Sequence, residues 1–139
     1  MKTTVWEALI GKEEARASAA SRQLETIDRQ YRHLCDRVSY IEGLVSEYSD
    51  SATGTPIQRS TYKLQLYVMR DKLNTEAQLL SLKIREIKES IAAHHGEIRK
   101  FDKMRVLTEE RRQEQEHRAE RRRDEESGTL QFNLQRRGY

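Results

Sequence analysis

The residues of this chain that could do chemistry are few and poorly spaced for it. His94 and His95 are adjacent, so on a helix they point to different faces and cannot chelate one ion together. His94 falls in the frame of an apolar stripe, where a packed histidine is expected rather than a metal ligand. Glu97 and Asp102 read as helix-surface acids. Cys35 is the only cysteine, so no internal disulfide can form, and nothing calls for an oxidising compartment. There is no HExxH, P-loop, GxSxG or CxxC motif. Neither a catalytic group, a metal site nor a cofactor is expected, and the chain reads as non-enzymatic.

What must be explained instead is a chain with 35% charged residues, 35% hydrophobic residues, one proline and six glycines. So little apolar material with so few breakers suits long helices that bury a narrow stripe, not a layered core. The formal net charge of +3 is spread among interleaved acids, most of the basic excess lying between residues 57 and 108. Nucleic-acid binding asks for a concentrated basic patch, so it is not expected. No apolar run could span a bilayer, and Met1–Glu7 lacks the core of a signal peptide. A cytoplasmic protein without direct membrane insertion is the expectation.

The stripes are explicit. Trp6, Ile10, Glu13, Ala17, Ala20, Leu24, Ile27, Tyr31, Leu34, Val38, Ile41, Val45 and Tyr48 follow one another at alternating spacings of four and three. Only Glu13 is polar. A 3.5-residue repeat sustained in this way keeps one seam facing a partner helix. Thr4 and Glu7 suit a capping box at its start. The polar segment 49–55 breaks the pattern. Thr55 as N-cap, Pro56 at the first helical position and Gln58 as capping-box partner then start a second helix.

The second stripe reads Tyr62, Leu66, Met69, Leu73, Ala77, Leu80, Ile84, Ile87, Ile91, His94, Ile98 and Phe101. Two spacings of four, Met69–Leu73–Ala77, make a stutter. The short connection turns the second helix back along the first. Pairing Tyr48 with Tyr62 places Ile41 opposite Met69 and Trp6 opposite Met104. The fold class is therefore all-α, a two-helix antiparallel coiled-coil hairpin over residues 1–126. Helix 1 covers about 4–48 and helix 2 about 56–126, with a flexible tail at 127–139. At 1.5 Å per residue the helices measure roughly 65–70 Å and 105 Å, so helix 2 overshoots helix 1 by around 30 Å.

The overshoot is a run of Glu, Arg and Gln from Glu109 to Glu126, with opposite charges four apart at Arg112/Glu116, Glu114/Arg118, Arg121/Glu125 and Arg122/Glu126. Ser127-Gly128 is expected to end the helix. The alternating tail Thr129–Arg137 suits either disorder or a strand added to a partner. Near the turn, Tyr40 and Leu44 stand just outside the first seam, with Tyr67 and Val68 across from them. Together they suggest an exposed aromatic-aliphatic patch.

Phe101-Asp102-Lys103-Met104-Arg105-Val106-Leu107 and the Glu/Arg/Gln run ending in Asp124-Glu125 give the chain a resemblance to the FliJ/YscO family of type III secretion and flagellar export. Members of that family are small cytosolic antiparallel coiled coils similar to the rotary stalk of the F-type ATPase. The tail with Gln131-Phe132-Asn133-Leu134 departs from the pattern. The resemblance implies that Trp6, Arg111, Arg112, Arg118, Arg121, Arg122 and Arg123 enter the pore of a hexameric export ATPase. It implies that Tyr40, Leu44, Tyr67 and Val68 face an export-gate membrane protein, and that export chaperones are further partners. The chain would then work at the secretion apparatus, peripheral to the inner membrane. A coiled-coil adaptor or export chaperone, self-associating through its seam or binding secreted substrates, is the alternative.

Overall fold

A computed structural model describes residues 3–50 and 54–137. It is an all-α hairpin of two helices packed against each other: α1, Thr3–Asp50, of 48 residues, and the longer α2, Pro56–Arg137, of 82 residues. Thr4 lies inside α1, so the expected Thr4/Glu7 capping box does not start it. The start of α2 is as expected. The Gln58 amide donates to Thr55 Oγ1 at 3.2 Å, and the Thr55 amide donates back to Gln58 Oε1 at 3.3 Å. This reciprocal pair satisfies two amides at the helix entrance. Gly54 precedes it at φ +83°, a left-handed conformation that residues with a Cβ adopt only under strain. Residues 51–53 of the expected turn lie outside the described residues.

The chain divides into two compact units. The unit Ala15–His95 holds the core cluster of Ile41, Leu66 and Leu73, with Leu34, Val38, Leu44, Val45 and Tyr62 packed on it. Tyr48 and Tyr62 meet with ring centroids 4.4 Å apart, which is the pairing expected across the turn. On α1 every expected seam residue of this unit is buried or half-buried. On α2 one position differs. Met69 is 48% exposed, whereas Leu66 and Leu73, which flank it, are buried with Ile41. The half-buried residue is Arg70. The seam therefore runs Tyr62–Leu66–Arg70–Leu73–Ala77, and the stutter, Tyr62–Leu66–Arg70, lies one heptad closer to the hairpin end than Met69–Leu73–Ala77.

Arg70 can hold a seam position because its ends have separate partners. Its guanidinium carbon lies 4.8 Å from the Tyr67 ring centroid, and its nitrogens reach Asp71 Oδ1 at 3.2 and 3.3 Å. The aliphatic stem can then stay at the seam while the charge stays at its edge.

The other unit comprises Met1–Glu14 and Gly96–Tyr139. Here Trp6 packs on Phe101, with ring centroids 6.1 Å apart, and its Nε1–H donates to Thr108 Oγ1 at 3.0 Å. Trp6 is thus bracketed by two residues one heptad apart, around the expected position of Met104. Beyond Glu109 every described side chain from Glu110 to Arg136 is exposed. The expected stop at Ser127-Gly128 does not occur, for α2 continues through both to Arg137. Residues 129–137 are therefore helical, not a flexible tail or a strand, and the stretch after Glu109 is about 40 Å long.

Candidate interaction surfaces

Among the described residues no group of His, Cys, Asp and Glu is arranged to hold a metal, and no helix is long and apolar enough to cross a membrane. His94 is half-buried at the seam, with Nε2 3.4 Å from Ser90 Oγ, while His95 is exposed. Tyr31 and Cys35, one turn apart, share a hydrogen bond that pushes the Tyr31 hydroxyl above its ordinary value, with their mutual charge repulsion adding to it. What the fold presents is surface, of three kinds.

The first is the charged segment after Glu109. Arg112 grips Glu109 in a fork, Nη2 to Oε1 at 2.6 Å and Nε to Oε2 at 3.2 Å, and its Nη1 donates to Glu116 at 3.0 Å. The fork holds the Glu109 carboxyl below its usual value, chiefly through these hydrogen bonds, and raises Arg112. Arg118 donates to Glu114 at 2.6 Å. Arg123 donates to the Ala119 carbonyl at 3.4 Å. Arg111, Arg121 and Arg122 form no ion pair among the described residues and are exposed to solvent. The expected Arg121/Glu125 and Arg122/Glu126 pairs do not form there. Trp6, grouped with these arginines from the sequence, is instead half-buried between Phe101 and Thr108.

The second is the region of Tyr40, Leu44, Tyr67 and Val68. Tyr40 is 69% exposed and Val68 62%, but Leu44 packs on the core cluster and the Tyr67 ring is covered in part by Arg70. Val68 is two residues from buried Leu66, about 200° round α2, and so faces away from the seam. Tyr40 stands about 100° round α1 from buried Ile41. The four do not make the single patch expected of them.

The third surface lies on the outer side of α2. Ile57, Leu64, Val68, Leu79 and Leu82 are all exposed. At 100° per residue they fall within about 60° of arc on α2, nearly opposite the seam. Their spacings of seven, four, eleven and three were visible, but the stronger seam periodicity of the same helix masks them. No protein-family model matches the chain, and no curated protein or solved structure shows significant similarity to it.

Proposed function

We propose that the chain is the central stalk of a type III secretion or flagellar export ATPase complex, joining the hexameric ring to the export gate without doing chemistry itself. The observation that carries this reading is the charged helix after Glu109, exposed at every described position from Glu110 to Arg136 while the helices pair elsewhere in the chain. A helix of this kind gains its stability from internal ion pairs and is suited to enter a complementary cavity. Arg111, Arg121 and Arg122 supply charge toward acidic groups lining the ring. Tyr40, Tyr67 and Val68 serve the gate side, and export chaperones are handed over along the same path. In that role the protein works in the cytoplasm beside the inner membrane.

The test is the ATPase turnover of the cognate hexamer with and without the protein. Stimulation by the wild type, lost on reversing Arg121, Arg122 and Arg123 to Glu, is the expected result. No stimulation by the wild type overturns the reading.

A further inference from the structure

The outer stripe of α2 is large, apolar and nearly symmetric about its own centre. Leu64 and Val68 lie on one side of Asp71, Lys72 and Thr75, and Leu79 and Leu82 lie on the other. Their exposures are 64%, 62%, 62% and 56%. Together these four side chains offer roughly 450 Å² of exposed surface, in two apolar pairs separated by Asp71, Lys72 and Thr75. Two copies would remove roughly 900 Å² of surface from water before flanking groups are counted, which approaches the range of small specific interfaces.

We propose that this stripe pairs with the same stripe of a second copy, antiparallel, across a two-fold axis near residue 73. A two-fold interface must match itself, and this one does. Turned end for end, Leu64 meets the partner's Leu82 and Val68 meets the partner's Leu79, each pair occurring twice. In this arrangement the same flank of each helix faces its counterpart. Lys72 and Glu76 share one flank and lie one turn apart, so Lys72 falls beside the partner's Glu76 and Glu76 beside the partner's Lys72. Further along that flank Lys83 meets the partner's Gln65. On the other flank Tyr67 meets the partner's Gln78. Near the axis, on this other flank, Asp71 comes within about a turn of the partner's Asp71, and each is neutralised by the ion pair to its own Arg70. The seam stays closed, so this association differs from one made by exchanging seam helices. Val68 lies inside the interface, so self-pairing and contact with the export gate compete for it.

Sedimentation equilibrium from low micromolar to several hundred micromolar protein tests the proposal. The wild type is expected to pass reversibly from monomer to dimer. Leu79→Glu, at an exposed position, should remain monomeric at every concentration with unchanged helicity. Lys72→Glu alone and Glu76→Lys alone should each weaken self-association at least tenfold, and an equimolar mixture of the two should associate again as a heterodimer. A wild type that stays monomeric throughout, a dimer that survives Leu79→Glu, or a mixture that fails to associate each overturns it. None of these readouts involves the ATPase, so this proposal and the stalk reading can fail separately.

Discussion

The Trp6 indole N–H donates to the Thr108 hydroxyl at 3.0 Å, and that hydroxyl donates in turn to the Met104 carbonyl at 2.8 Å. Each group has one role in the relay. The threonine proton is held by its own helix, which leaves the oxygen lone pairs for the tryptophan. Thr108→Val keeps the shape and removes the acceptor. It should cost about 1 kcal/mol of stability, the net worth of one ordinary hydrogen bond. Trp6 is the only tryptophan, so its emission should shift to the red in the variant, and thermal unfolding should start earlier. An unchanged emission maximum would show that the bond does not hold the indole.

The corrected seam makes a paired prediction. Ile41→Ala and Leu66→Ala remove side chains from the buried cluster and should each destabilise by about 2–4 kcal/mol. Met69→Ala, at a residue long enough to look like core but exposed, should change stability by less than about 0.5 kcal/mol. Urea midpoints of the three variants decide the matter. If Met69→Ala proved as costly as Leu66→Ala, the seam would run through Met69 after all.

Glycines divide by conformation. Gly54 has φ +83°, so Gly54→Ala should destabilise the hairpin by about 1–2 kcal/mol. Gly128 sits inside a helix with open space where a Cβ would project, so Gly128→Ala should stabilise its segment by up to about 1 kcal/mol. Circular dichroism melts read both. Opposite signs are expected.

Acid should loosen the charged segment. Glu109 titrates below its ordinary value because Arg112 is hydrogen-bonded to its charged form. A lowered folded-state pKa means that the contribution is complete above the unfolded value and is lost as pH falls through the folded one. Wild type and Glu109→Gln should therefore differ in helicity near neutral pH and converge once the medium is acidified below the usual carboxylate range. High salt should narrow the same gap, since the pair is exposed. A difference that persisted in acid would assign it to packing instead.

The seam of α1 could be read from sequence residue by residue because nothing interrupts its 3.5-residue repeat, and the capping box at Thr55 and Gln58 is equally local. The faults arose where side chains do two jobs. Met69 is apolar and in frame and so suits the core, yet Arg70 occupies the position because Tyr67 and Asp71 take charge of its head group. Leu44 stands outside the seam frame, but leans onto the core cluster. Ser127-Gly128 has the composition of a stop, but a single helical glycine costs only about 1 kcal/mol and its neighbours carry the helix through. The candidate surfaces were legible in composition, as charge after Glu109, but not in grouping. The stripe at Leu64, Val68, Leu79 and Leu82 shares its helix with a stronger pattern and becomes visible only when the buried face is known.

The two aromatic contacts close loops of very different size. Tyr48 meets Tyr62 across 14 residues of chain, whereas Trp6 reaches Thr108 across 102. Loop-closure entropy rises with length, so the contact beside the Gly54 turn can form early, on little more than local chain motion. The Trp6 contact becomes affordable only after the intervening seam has shortened the effective loop. Folding should then proceed as a zipper that starts at Tyr48–Tyr62, and opening should begin at the opposite end. The indole of Trp6 would be the last aromatic group to dock and the first to see water.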